Sequence, residues 1–143
     1  MRTIGNILWL LLAGLWLAIS YALAGVINAV FIITIPFAIQ SFKLAGYALW
    51  PFGRVVVDRP GRDPELSLVG NIIWFVFGGL WLVIGHLLTS LLLAITIIGI
   101  PLAVANVKMA VLALAPFGRQ VVTVEEAERM GARVVAAVRG LEV

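Results

Sequence analysis

Charged residues are missing from two long stretches of the chain. No Asp, Glu, Lys or Arg occurs at positions 3–42, a run of 40 residues, or at positions 66–107, a run of 42. A helix crossing a hydrocarbon core of about 30 Å needs about 20 apolar residues, so each run accommodates two crossings and is too long for one. Polar interruptions suggest where each run folds back. The first predicts helices over about 6–24 and 26–45, with turn signals at Ser20-Tyr21, Gly25 and Asn28. The second predicts helices near 71–88 and 91–110, with Gly85-His86 and Thr89-Ser90 between them. The expected fold class is an all-α integral membrane protein with four transmembrane helices in two hairpins, followed by a short cytosolic C-terminal helix.

The two hairpins are copies of one another. Setting residue n over residue n+65 aligns 5–57 with 70–122 without a gap, and 26 of the 53 positions are identical. Both copies open on Gly-Asn-Ile-x-Trp, at Gly5 to Trp9 and Gly70 to Trp74, and continue through Gly-Leu-Trp-Leu at Gly14 to Leu17 and Gly79 to Leu82. Ile-Ile-x-Ile-Pro follows at Ile32 to Pro36 and Ile97 to Pro101, then Lys43 and Lys108, then Pro-Phe-Gly-Arg at Pro51 to Arg54 and Pro116 to Arg119. Such agreement is the mark of duplication. An even number of crossings returns the chain to its starting side, so the copies are parallel repeats related by an axis near the membrane normal. The organisation is a first hairpin repeat over 1–57, a cytoplasmic loop over 58–69, a second repeat over 70–122 and an amphipathic tail helix over 123–143.

Charge placement sets the orientation. Lys and Arg lie at the N-terminus, near the hairpin exits, in the central loop or in the tail, and the expected inter-helix turns carry none. The positive-inside rule places both termini and the central loop in the cytoplasm and the two turns outside. The net charge of +3 then reports orientation and not a nucleic-acid partner. At 63% hydrophobic residues, the chain has too much apolar surface for a soluble monomer of its size to hide. Met1-Arg2 and Ala22-Leu23-Ala24 have the look of a cleavable signal, but the apolar run continues to Phe42 and the segment recurs internally.

In the tail, Thr123-Val124-Glu125-Glu126 matches a capping box. Ala127, Met130, Val134, Val135, Val138 and Leu141 would share one apolar helical face, with Glu125 and Arg129 paired at i,i+4.

The paired motifs resemble the bacterial YccF family, the inner membrane component domain, over about residues 5–122. The resemblance implies a bacterial inner-membrane protein with two helices per copy. It brings no catalytic residues and no substrate.

Candidate residues lie in the recurring motifs. Lys43 and Lys108 stand late in the second helix of each hairpin, either as functional groups at membrane depth or as lysines that snorkel to the cytoplasmic headgroups. Pro36 and Pro101 lie inside apolar segments, where they either break a helix to line a pathway or kink it for packing. Asn6 and Asn71 stand at helix entries as N-caps, while Asn28 and Asn106 are weaker candidates for contacts between helices. Trp9 and Trp74, each seven residues from a second tryptophan at Trp16 and Trp81, suit a packed interface or interfacial anchor. Gly14, Ala18 and Ala22 form a small-residue stripe that the second copy lacks.

His86 is the sole histidine and falls in an expected external turn, with no acid or second histidine nearby to build a metal site. Cysteine is absent, and no nucleotide or cofactor motif occurs. An enzyme is therefore not expected. Two functions remain. One is a homo-oligomeric channel or transporter component, for an anion or neutral solute because the intramembrane lysines lack acids. The alternative is a structural or accessory subunit packing against a larger membrane partner. The expected partners are the lipid bilayer, further copies of the chain and such a membrane protein.

Overall fold

The computed structural model describes residues 2–138. Helix α1 (Arg2–Ala29) runs through the first apolar stretch, and after a 3-10 turn (Ile32–Thr34) helix α2 (Ile35–Leu49) returns along it. Strand β1 (Arg54–Asp58) follows, then helices α3 (Pro64–Ala94) and α4 (Gly99–Leu114), strand β2 (Arg119–Thr123), short helix α5 (Val124–Arg129) and strand β3 (Val134–Val138). Three helical segments, Arg2–Ala29, Ile32–Leu49 and Pro64–Ala94, are long and apolar enough to cross a membrane, and α4 is apolar but shorter.

The turns fall later than the polar residues suggest. Ser20, Tyr21, Asn28, His86, Thr89 and Ser90 all lie inside helices, and the chain reverses between Ala29 and Ile35 and between Ala94 and Gly99. The polar side chains that resemble turn signals bond backward instead. Ser20 donates to the Trp16 carbonyl, Asn28 to Ala24, Thr89 to Gly85 and Ser90 to His86, each four residues earlier. Such back-bonding satisfies a hydroxyl or amide without breaking an apolar helix. Pro36 and Pro101 are likewise neither kinks nor breaks. Both stand in the first turn of a helix, where the missing amide would have had no intrahelical acceptor.

Both long helices carry one wide π-turn, at Leu10–Gly14 and Phe75–Gly79. The wide turn separates the paired tryptophans. Trp9 is buried and Trp16 is 68% exposed, because the π-turn lies between them and a seven-residue step no longer returns to the same face.

The all-α expectation is corrected by a three-stranded antiparallel sheet of order β2-β1-β3 at the end of the bundle where the hairpins begin and finish. Each helix-to-strand corner is a Pro-Phe-Gly-Arg turn, closed by the Arg54 amide on the Pro51 carbonyl and the Arg119 amide on the Pro116 carbonyl. Gly53 and Gly118 sit at φ +88° and +74°, a conformation glycine adopts without a Cβ penalty. In β1 the side chains alternate: Val56 packs into the core with the helices, while Val55 and Val57 pack with Val122 and Ala127 under α5.

The tail is also corrected. Thr123 caps α5 as its capping box predicts, accepting from the Glu126 amide, but the helix stops at Arg129 and Gly131 leads out at φ +58°. The β-branched Val134-Val135 pair then enters a strand against β1. The expected helical face therefore does not form, and Leu141 lies outside the described residues. Glu125 pairs with Arg2 at 3.0 Å, while the Arg129 guanidinium donates to the Glu125 backbone carbonyl. Its own amide, then the Arg2 guanidinium, hold the Glu125 carboxyl below the usual carboxylate range.

Candidate functional site

The recurring motifs converge on two equivalent latches between each hairpin and its strand. Asn6 is not an N-cap: it lies inside α1, fully buried, donating to the Phe52 carbonyl at 3.0 Å and accepting from the Phe52 amide at 3.0 Å. Asn71 repeats the pattern on Phe117 at 3.2 and 2.9 Å, while the true N-cap of α3 is Asp63. Asparagine suits the position because one side chain offers the donor and the acceptor that a bare backbone unit requires.

Trp9 donates its indole N–H to the Ala48 carbonyl at 2.7 Å, and Trp74 donates to Ala113 at 2.8 Å. The indole lies so close to the π-turn glycine that a Cβ on Gly14 would meet the Trp9 nitrogen at 2.4 Å. The arginine of Pro-Phe-Gly-Arg completes each latch. Arg54 reaches the Gly46 carbonyl and Arg119 the Val111 carbonyl, so cations cover the negative ends of α2 and α4.

Lys43 joins the two repeats. Its ammonium donates to the Pro116 carbonyl at 2.5 Å and the Arg119 carbonyl at 2.8 Å, both in the turn of the other copy. Lys108 has no hydrogen bond among the described residues and stands beside Leu87, Leu91 and Val104. The equivalent lysines therefore differ in role. Lys43→Met is expected to destabilise the chain by about 2 kcal/mol by stripping two charge-assisted bonds from the turn carbonyls. Lys108→Met should change stability by under about 0.5 kcal/mol. Thermal unfolding of the two variants in one detergent checks the difference.

Between the hairpins lies a buried polar chain. The Tyr21 hydroxyl meets His86 Nε2 at 2.5 Å, and His86 Nδ1 meets Asn106 Oδ1 at 2.5 Å. Asn106 Nδ2 donates to the His86 carbonyl, which turns its oxygen toward the ring. Nδ1 must then carry the proton, and Nε2 accepts from Tyr21. Tyr21 and His86 are equivalent positions in the two copies, as are Val56 and Val121, which face each other in the sheet. A pseudo-two-fold axis therefore passes through both pairs. Beside it opens a cleft of about 280 Å³, lined by Tyr21, Asn28, Phe37, Ser41, Trp74 and Trp81.

His86 is thus a core residue and not part of an external turn. Its partnership with Tyr21 was missed because each alone reads as a turn signal. The available clue was that 21/86 and 41/106 are aligned positions that stay polar while changing residue type.

The family model described as the inner membrane component domain, YccF, matches residues 4–54 and 69–119. The chain is 36% identical over 136 residues to curated proteins named inner membrane protein YccF from Escherichia coli (strain K12) and Shigella flexneri, covering 90% of this chain and 92% of each relative. No solved structure matches.

Proposed function

The chain belongs to the YccF family of inner membrane components, and from that premise we propose that it is a non-catalytic membrane subunit that packs against a larger membrane protein. One observation carries the reading: Asn6, Trp9, Lys43, Arg54 and most of their repeat equivalents are spent on bonds inside the fold. Outward, the helices present Leu, Ile, Val and Phe, which suit lipid or an apolar partner. All seven carboxylates lie in the central loop and tail, away from the apolar segments. In this reading four apolar helices form two hairpins entering from the cytoplasm, and the termini, the sheet and its arginines lie on the cytoplasmic side.

Transport is the second reading, supported by the Tyr21–His86–Asn106 chain and the largely apolar cleft beside it, into which Asn28 and Ser41 bring polar groups. It requires further copies, because the space between the hairpins of one chain is occupied by packed side chains. If a solute passes, an anion or neutral molecule fits a membrane region without acids. Pull-down from native membranes after crosslinking, together with the mass of the solubilised particle, separates the two. A stoichiometric membrane partner is the expected result. A closed homo-oligomer that gives flux on reconstitution overturns the subunit reading in favour of transport.

A further inference from the structure

We infer that both hairpins turn inside the bilayer, with their tips seated among the acyl chains of the leaflet opposite the sheet and not in the aqueous compartment beyond it. The inference deepens the orientation proposed above and rests on it. Four features of the tips carry it.

The first is composition. Residues 30–35 and 95–100 hold no charge, and three of their isoleucines are the most exposed large apolar side chains among the described residues: Ile32 is 85% exposed, Ile33 87% and Ile97 87%. A turn that emerges into water ordinarily carries Asn, Asp or Ser, and neither stretch holds any of these. An exposed apolar patch of this kind marks a surface that something apolar covers.

The second is the fate of the polar groups. The only polar side chains at the tips are threonines, and each is turned onto the turn itself. The Thr34 hydroxyl lies on the Asn28 and Phe31 carbonyls at 2.5 and 2.9 Å, and its amide also bonds the Phe31 carbonyl. The Thr96 hydroxyl donates to the Leu93 carbonyl at 3.3 Å and accepts from the Gly99 amide at 3.0 Å. Pro36 and Pro101 remove one amide each from the helix starts that follow. Water would satisfy these groups at no cost, whereas hydrocarbon demands that they be satisfied internally.

The third is length. Helix α2 has 15 residues and α4 has 16, which at 1.5 Å per residue is about 23 Å against a core of about 30 Å. With its 3-10 turn the first returning segment, Ile32–Leu49, has 18 residues, about 27 Å, so with the sheet outside one surface it reaches the far boundary of the core without projecting beyond it.

The fourth is that the two copies reach this end differently. Thr34 aligns with Gly99 and Thr96 aligns with Phe31, so each turn is closed by a threonine at its own position. The property shared by the two tips is an apolar surface over a self-bonded turn, as seating in lipid requires.

The absence of cysteine makes the test direct. Ile33→Cys and Ile97→Cys would each be made in the full chain, with Glu128→Cys, exposed on α5, as the reference for sidedness. Labelling by a membrane-impermeant maleimide would be measured from each side of sealed membranes and compared with the denatured chain. A bimane on the same thiols would be read against lipids spin-labelled along the acyl chain. The expected result is labelling at positions 33 and 97 at least roughly tenfold slower than in the denatured chain from both sides, with quenching by acyl-chain labels. Rapid labelling from the side opposite position 128 overturns the inference. Protection without acyl-chain quenching, accompanied by crosslinking of the tip thiols of two chains, overturns it in favour of a second copy. Labelling of position 128 from the periplasmic side instead overturns the orientation on which it rests, whatever the tips do.

Discussion

Gly99→Ala is expected to lower stability by about 3 kcal/mol, one of the two largest losses at a single position of this chain. A Cβ at Gly99 would stand 1.8 Å from the Leu93 carbonyl oxygen and 2.6 Å from the Thr96 hydroxyl. The first is backbone of the preceding turn and cannot rotate away, and the second is the group that closes that turn on the Gly99 amide. A methyl here must therefore reopen the turn between α3 and α4. At position 34, the equivalent site of the first copy, a threonine is tolerated because that tip is built on a 3-10 turn. Gly46 is the control: a Cβ there meets nothing within 4 Å, and Gly46→Ala should be neutral or stabilise α2 by up to about 1 kcal/mol through helix propensity. Thermal unfolding in detergent is the measurement. A loss of about 3 kcal/mol corresponds to roughly 6 to 12 °C for a chain near this length. Equal melting temperatures for Gly99→Ala and Gly46→Ala would contradict the turn geometry.

Asn6→Leu is the second large effect. The substitution keeps approximate volume but leaves the Phe52 amide and carbonyl without partners at a fully buried site. An orphaned buried backbone group costs about 1 to 3 kcal/mol, so the loss for the pair should be about 3 to 4 kcal/mol. Asn71→Leu should cost about half as much, because its site is half-buried and its donor bond is longer at 3.2 Å. Hydrogen exchange gives a local check. Protection of the Phe52 amide should fall in Asn6→Leu more than protection of the Phe117 amide falls in Asn71→Leu. Equal losses in the two variants would mean that burial does not set the cost of the latch.

These residues also mark the limit of sequence reading. Asn6 and Trp9 stand out because they recur, and recurrence alone says that they matter without saying to what. Their partners, the Phe52 backbone and the Ala48 carbonyl, are reached across 46 and 39 residues of chain. Backbone groups carry no sequence signature, so nothing marks the acceptor. The N-cap reading of Asn6 failed because α1 begins earlier, at Arg2. The turn reading of His86 failed because a polar residue in an apolar run has two physical explanations, and only the position of Tyr21 chooses between them.

What the sequence by itself determined about this protein is its solvent and its duplication. Apolar content sums locally along a helix, so two charge-free runs suffice to assign helices to the bilayer, and 26 identities at one offset suffice to establish two copies. The tertiary structure alone decided the sheet, the shared axis and the roles of the equivalent lysines. A run such as Val55-Val56-Val57 becomes a strand only when a partner ladder is present, and its partners at Val121, Val122 and Ala137 lie 65 to 82 residues away. Identical sequence does not impose identical contact either. Lys43 finds the carbonyls of the opposite turn, while Lys108 stands without a bond among the described residues, and the tail strand, by pairing with β1 alone, makes the two halves unequal.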